Sequence, residues 1–182
     1  MNTVSTPQHS TSPVYPRWPE TLRDHSYVRI RPRNPRQNPA EQIFLEVSPN
    51  SRRFRLLGQA NYPDARALDR PAAIEYVNEV EFVGVTPEDT RERIVGVSRY
   101  RADQGCLHCE CVVTIDDEWQ KEGLAALLMK HLIEVARANG IRWMTSVDLA
   151  ANLQMKDLTA HLGFRTRRDP NDARQVLHEL DL

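Results

Sequence analysis

The sequence predicts a single mixed α/β domain, and three observations carry that prediction. Glu110 to Asn139 reads as a strand, a tight turn and a long helix in direct succession. Elsewhere, apolar runs of strand length alternate with helical patterns, the order that builds a sheet with helices packed on it. The chain has 182 residues, 40% hydrophobic and 27% charged, which is the balance of one ordinary globular core.

The central stretch opens as Cys111-Val112-Val113-Thr114-Ile115 and turns through Asp116-Asp117-Glu118-Trp119. It passes Gln120-Lys121-Glu122-Gly123-Leu124-Ala125 and continues as a helix to Asn139-Gly140. Leu124, Leu127, Leu128, Leu132, Val135 and Ala136 follow the i, i+3, i+4, i+7 pattern, and His131 is the one polar break on that face. Gly140 supplies a helix stop. Strand, glycine turn and helix start point backbone N–H groups and a positive dipole end at one spot, which suits a phosphate. The spacing alone equally fits a plain strand–helix unit.

The remaining elements follow in chain order. Residues 1–16, rich in Ser, Thr, Pro and Gln, read as a disordered tail ahead of a domain spanning 17–182. Trp18 is a candidate anchor for the end of that tail. Tyr27 to Arg31 alternates as a first strand. Asn38-Pro39-Ala40-Glu41 has the cap, first-turn proline and acidic residue of a helix start running to about Val47. Ser48-Pro49 starts a second helix, whose Arg52, Arg53 and Arg55 read as a solvated face. Residues 59–70 read as loop, and Ile74 to Tyr76 as a short helix or turn. Val80 to Val85 and Ile94 to Tyr100 read as strands joined by a turn at Thr86-Pro87-Glu88-Asp89. Asp103-Gln104-Gly105 turns into a strand from Cys106 to Ile115. Past the central helix come a strand from Trp143 to Asp148, a helix from Asn152 to Leu162, and closing strands at 164–168 and 176–182.

Composition narrows the function. Net charge is -1, so nothing draws the chain in bulk to nucleic acid or to an anionic membrane. No apolar run approaches the ~20 residues a membrane helix needs. The polar N-terminus lacks a signal-peptide core, so a soluble, cytoplasmic protein is expected. Three cysteines argue against a disulfide framework. Cys106, Cys109 and Cys111, with His108 among them, invite a zinc reading, but along one strand they alternate between two faces. No metal is expected.

Gln120-x-x-Gly123-x-Ala125 resembles the Q/R-x-x-G-x-G/A motif of the GNAT superfamily, N-acetyltransferases that use acetyl-coenzyme A. Asn152-Leu153-Gln154-Met155 followed by Leu162-Gly163-Phe164 resembles that superfamily's later N-x-x-A/M…G-F segment. The element order is similar to the GNAT fold, a mixed, mostly antiparallel sheet whose splayed central strands admit the pantetheine arm of coenzyme A. Further stretches look like the acetyltransferase domain of the bacterial Pat-type protein lysine acetyltransferases. These are Tyr15-Pro16-x-x-Pro19, Val28-x-Ile30-Arg31-Pro32, Val47-Ser48-Pro49-x-Ser51-x-x-Phe54-Arg55, Ile94-Val95-Gly96-Val97-x-Arg99-Tyr100 and Glu110-x-Val112-Val113 before Asp117-Glu118-Trp119-Gln120. The resemblance implies an acetyl-CoA-dependent acetyltransferase with a protein substrate such as an acyl-CoA synthetase.

The chemistry assigns candidates. Acetyl transfer to an amine needs a base, because an ammonium of unperturbed pKa ~10.4 has no lone pair. Glu110, a carboxylate set among cysteines and valines in a strand, is the candidate base, and the resemblance places a catalytic glutamate there. Val113, Thr114 and Ile115 are expected to meet the pantetheine arm and polarise the thioester carbonyl through their backbone. Backbone N–H groups of Gln120, Lys121, Glu122, Gly123, Leu124, Ala125 and Ala126 are expected to hold the pyrophosphate. Many relatives have Gly and Arg where this chain has Lys121 and Glu122, and Glu122 sets a negative charge near a phosphate. Asn152 suits a helix N-cap, to which the resemblance adds a coenzyme A contact. Thr159 stands where many relatives place a tyrosine that protonates the leaving thiolate. Acetylation of a small amine or peptide N-terminus, or acyl-CoA binding without catalysis, are the competing readings.

Overall fold

The computed structural model describes residues 15–33, 79–88, 91–120 and 122–182. The two helices expected between 38 and 57, the loop to 70 and the turn at 74–76 lie outside the described residues. Eight strands form one sheet: β1 (Trp18–Thr21), β2 (Tyr27–Pro32), β3 (Glu79–Glu88), β4 (Arg91–Ala102), β5 (His108–Ile115), β6 (Trp143–Leu149), β7 (Arg165–Arg168) and β8 (Gln175–Asp181). Their order is β1-β2-β3-β4-β5-β6-β8-β7. Every neighbouring pair is antiparallel except β5–β6. That parallel pair is joined through helix α1 (Leu124–Ala138), the crossover that parallel strands require. A second helix, α2 (Leu153–His161), precedes β7.

Helix α1 buries Leu124, Leu128, Leu132, Val135 and Ala136, as their spacing predicts, together with Met129 and Ile133. It lies directly on β3 and β4 because Gly84 and Gly96 face each other beneath it. A Cβ on Gly96 would stand 2.8 Å from the Leu128 Cδ1 and 2.9 Å from the Ile115 Cδ1. The main core fills this interface, with Val28, Ile30, Phe82, Tyr100, Cys109, Cys111 and Met144 supplied by the sheet. Val83, Val85, Ile94 and Val97 form a smaller cluster on the opposite face.

Three expectations change. Thr86, Pro87 and Glu88 continue β3 instead of turning, and Glu88 pairs with Arg91. Cys106 sits in the turn before β5 at φ 51°, so the strand starts only at His108. β1 is an extra strand, and its core contact explains both Trp18 and His131. Trp18 stacks on the His131 ring at 4.1 Å between centroids and meets Phe82 edge-on at 5.2 Å. The His131 Nε2 lies 2.8 Å from the Glu20 Oε1. The polar break on the apolar face of α1 is therefore where an edge strand docks. Tyr15 joins the same cluster, packing edge-on to Phe82 at 5.7 Å and accepting a bond from Asn139.

Candidate active site

The β5–β6 ladder has three rungs: His108 with Trp143, Cys109 with Met144, and Glu110 with Thr145. Both strands run on past the last rung, to Ile115 and to Leu149, without pairing to each other. Their outer edges stay paired, β5 to β4 as far as Gly96–Ile115 and β6 to β8 as far as Leu149–Gln175. The two strands therefore splay into a V that opens toward the N-terminus of α1. Inside the V the backbone edge of residues 111–115 is left for a ligand that can itself hydrogen-bond like a strand. Val113, Thr114 and Ile115 lie on this edge, half-buried.

Glu110 occupies the apex, on the last rung, with its side chain exposed. Alternation puts it on the face away from α1, while Cys109 and Cys111 point into the core. Burial pushes the Cys109 thiol up to about 12 and the Cys111 thiol up as well, so both act as small apolar side chains. Among the described residues no group of His, Cys, Asp and Glu is arranged to hold a metal ion. Beside Glu110, Arg101 is its register partner on β4, and Thr145 is its partner on β6. The Thr145 Oγ1 is 2.8 Å from the His108 Nε2, and the His108 ring stacks on Trp143, 5.7 Å between centroids.

The mouth of the V is set by the turn after β5. The Asp116 carboxylate accepts the Glu118 N–H at 3.2 Å, capping a single 3-10 turn over Asp117–Trp119. Arg93 ties this turn to β4, donating to Asp116 and Glu118 at 3.0 Å each. The Gln120 amide donates to Asp117 at 2.7 Å, which leaves its backbone to lead into the glycine. Gly123 has φ 92° and ψ −3°, a left-handed conformation, and it begins α1 with no side chain capping the helix. The N–H groups of Leu124, Ala125 and Ala126 are thus first-turn donors free of a side-chain acceptor. No acidic residue lies in that first turn. Glu122 is half-buried, and its carbonyl accepts the Arg23 N–H at 3.1 Å. Lys121 lies outside the described residues.

Asn152 and Thr159 are engaged elsewhere. The Asn152 Oδ1 accepts the Met155 N–H at 3.2 Å, and its amide donates to Asp148 at 3.1 Å. The helix-cap role thus accounts for the Asn152 side chain. Thr159 is buried, donates to the Lys156 carbonyl at 3.1 Å and lies 3.1 Å from the His178 Nδ1. Its hydroxyl belongs to the packing of α2 on β8, and it is no acid for a leaving thiolate.

This arrangement has known counterparts. The profile of the acetyltransferase (GNAT) family matches residues 53–164. The chain belongs to the GNAT acetyltransferase family. It is similar to an acetyltransferase of Pseudomonas aeruginosa, 46% identical over 166 residues that make up 91% of this chain and 89% of that one. In structure it resembles the GNAT domain of S. lividans PAT, with TM-score 0.76 and 24% identity over 92% of this chain and 99% of that one. It also resembles a cAMP-binding acyltransferase from Mycobacterium smegmatis, with TM-score 0.63 and 20% identity over 91% of this chain and 47% of that one. These two structures share its fold. The protein is an acetyl-CoA-dependent acetyltransferase. The residues fit that substrate: an unpaired strand edge faces the V, and uncapped helix N–H groups stand at its mouth. No described helix is long and apolar enough to cross a membrane.

Sequence reasoning missed Arg23. Its guanidinium lies over the glycine turn, with Nε 3.8 Å from where a Cβ on Gly123 would stand. The signal was hidden because β1 has four residues and a proline, a pattern that demotes a strand to the sheet edge, which is its place here.

Proposed function

We propose that this acetyltransferase acetylates lysine side chains of proteins, with Glu110 as general base and an acyl-CoA synthetase as the acceptor class. The observation that carries the reading is the position of Glu110, exposed at the apex where β5 and β6 part. A thioester lying along the V would present its carbonyl carbon near that apex. An amine arriving from the open face would meet the carboxylate and the thioester together. Val113, Thr114 and Ile115 supply the backbone that holds the pantetheine arm and polarises the carbonyl. Gln120 to Ala126 receive the pyrophosphate at the helix N-terminus, where the Arg23 guanidinium beside the Gly123 turn adds positive charge. Asn152 acts on the cofactor only through the placement of α2.

The reaction then balances simply. Glu110 takes a proton from the bound ammonium, the freed nitrogen attacks the carbonyl carbon, and a C–N bond forms as the C–S bond breaks. The nitrogen gives its second proton to the departing sulfur or to water as the tetrahedral adduct collapses, leaving the amide and free coenzyme A. Because Thr159 is turned into the core, the thiolate leaves without a dedicated acid, which its modest basicity allows. The acceptor's methylene stem, once laid over Glu110, removes water from the carboxylate and strengthens it as a base. The protein is expected to work in the cytoplasm, with neither nucleic acid nor membrane as partner.

Radiolabelled acetyl-CoA added to a host-cell lysate with the purified protein tests the acceptor class. Label in a protein band, mapped to a lysine of an acyl-CoA synthetase, is the expected result. Label confined to the small-molecule fraction would replace the reading with acetylation of a small amine.

A further inference from the structure

We propose that Thr145, His108 and Asp103 form a proton exit from Glu110, so that His108 is a positioning residue of this reaction. The inference rests on the reading of Glu110 as base. Four side chains share one patch of the open face: His108 beside Trp143 and Glu110 beside Thr145, in alternate rungs with Cys109–Met144 between them on the other face. The Thr145 hydroxyl crosses the patch diagonally, 2.8 Å from the His108 Nε2. The other ring nitrogen, Nδ1, lies 3.9 Å from the Asp103 Oδ2, an ion-pair distance. Trp143, 45% exposed, backs the imidazole and holds its plane. A hydroxyl both accepts and donates, so Thr145 can hand a proton across while keeping none.

The need for such a path is chemical. A carboxylate that has taken a proton from an amine must lose it before the next turnover, and an acceptor seated over Glu110 blocks direct loss to water. Imidazole is the base matched to neutral pH, and a transfer from carboxylic acid to imidazole runs downhill. With the Glu110 side chain turned toward its register partner, its O–H proton passes to the Thr145 oxygen as the Thr145 proton passes to the His108 Nε2. The imidazolium, steadied by Asp103, then releases a proton to solvent, because His108 is only half-buried and Asp103 is exposed. For this the neutral ring must carry its hydrogen on Nδ1, the nitrogen that faces Asp103.

Among the described residues, the charged groups facing His108 are Asp103 from the β4–β5 turn, Glu110 from its own strand and Arg101 across from Glu110. One strand beyond β6 stand Glu179 and Asp181, register partners of Thr145 and Trp143, paired to Arg167 and Arg165.

The test compares initial rates of labelled acetyl transfer into lysate across about pH 5.5 to 8.5 for wild type, His108→Gln, Thr145→Val, Thr145→Ser and Glu110→Gln. His108→Gln keeps a hydrogen bond to Thr145 and removes the titrating base. Its turnover is expected to fall about tenfold or more, with KM for acetyl-CoA unchanged and the pH profile of turnover altered. Thr145→Val should match it, and Thr145→Ser should restore the wild-type profile. Nitrogen NMR of the imidazoles, with His108 assigned by its variant, should show hydrogen on Nδ1 at neutral pH. A wild-type rate and pH profile in His108→Gln, with Glu110→Gln inactive, would overturn the relay and spare the base. Hydrogen on Nε2 would also overturn it. Full activity in Glu110→Gln would remove the base, and the relay with it.

Discussion

Replacing Gly123 by alanine isolates the backbone geometry on which the proposed phosphate cradle depends. Gly123 has φ 92°, where a Cβ meets the following carbonyl. A single non-glycine residue held left-handed costs about 1–2 kcal/mol. No collision adds to this, because the nearest atoms to the new Cβ are the Arg23 Nε at 3.8 Å and Cγ at 3.9 Å. The whole effect is therefore conformational and can appear in two ways. If the turn keeps its shape, the melting temperature falls by about 2–8 °C, given ~2–4 °C per kcal/mol in a chain of this size. If the turn relaxes, the Leu124, Ala125 and Ala126 N–H groups swing off their target, and the Kd for acetyl-CoA rises about 5- to 30-fold. Differential scanning calorimetry and titration calorimetry on the same samples divide the cost between the two. Gly123→Asn is the control, since asparagine tolerates the left-handed region and should recover part of either loss. An alanine variant with unchanged melting and Kd, or an asparagine variant worse than alanine, would refute the argument.

Other perturbations test the packing and the charges. Gly96→Ala should destabilise the fold by about 1–3 kcal/mol in urea unfolding, because its Cβ would meet Leu128, Ile115 and Leu124 within 3.1 Å. Arg23→Ala should weaken acetyl-CoA binding up to about fivefold by titration calorimetry, an effect that fades as salt rises. His178 is held below its usual pKa by burial, so the unfolded chain binds a proton there before the native one does. Stability should therefore be full above pH ~6.5 and decline as pH falls below it, and His178→Gln should flatten that part of the decline in melting temperature.

Most of the sheet and α1 were legible because they carry period-two and 3.6-residue patterns that only one arrangement buries. Leu124, Leu128, Leu132 and Ala136 announced a face, and Gln120-x-x-Gly123-x-Ala125 announced what stands before it. β1 was not legible: Trp18-Pro19-Glu20-Thr21 is too short and polar to show a pattern, and only β2 and His131 give it a reason to be extended. The strand starting at His108 instead of Cys106 reflects a turn that takes one residue of positive φ, which the apolar run conceals. At the site, the resemblance to the Pat-type domain singled out Glu110 as the candidate base, but contacts between distant segments escaped the sequence. Thr145 reaches His108 across 37 positions of sequence, and Arg23 lies about 100 positions from Gly123. Such pairs leave no trace in local periodicity.

The central claim is that Glu110 acts on the proton of the acceptor and not on the binding of acetyl-CoA. Its most direct test is Glu110→Gln, measured for labelled acetyl transfer into lysate protein and, in parallel, for acetyl-CoA binding by titration calorimetry. Glutamine keeps the shape and cannot take a proton. Transfer should fall by about 100-fold or more while the Kd stays at its wild-type value. Transfer at the wild-type rate, or a loss that merely follows weaker binding, would contradict the account.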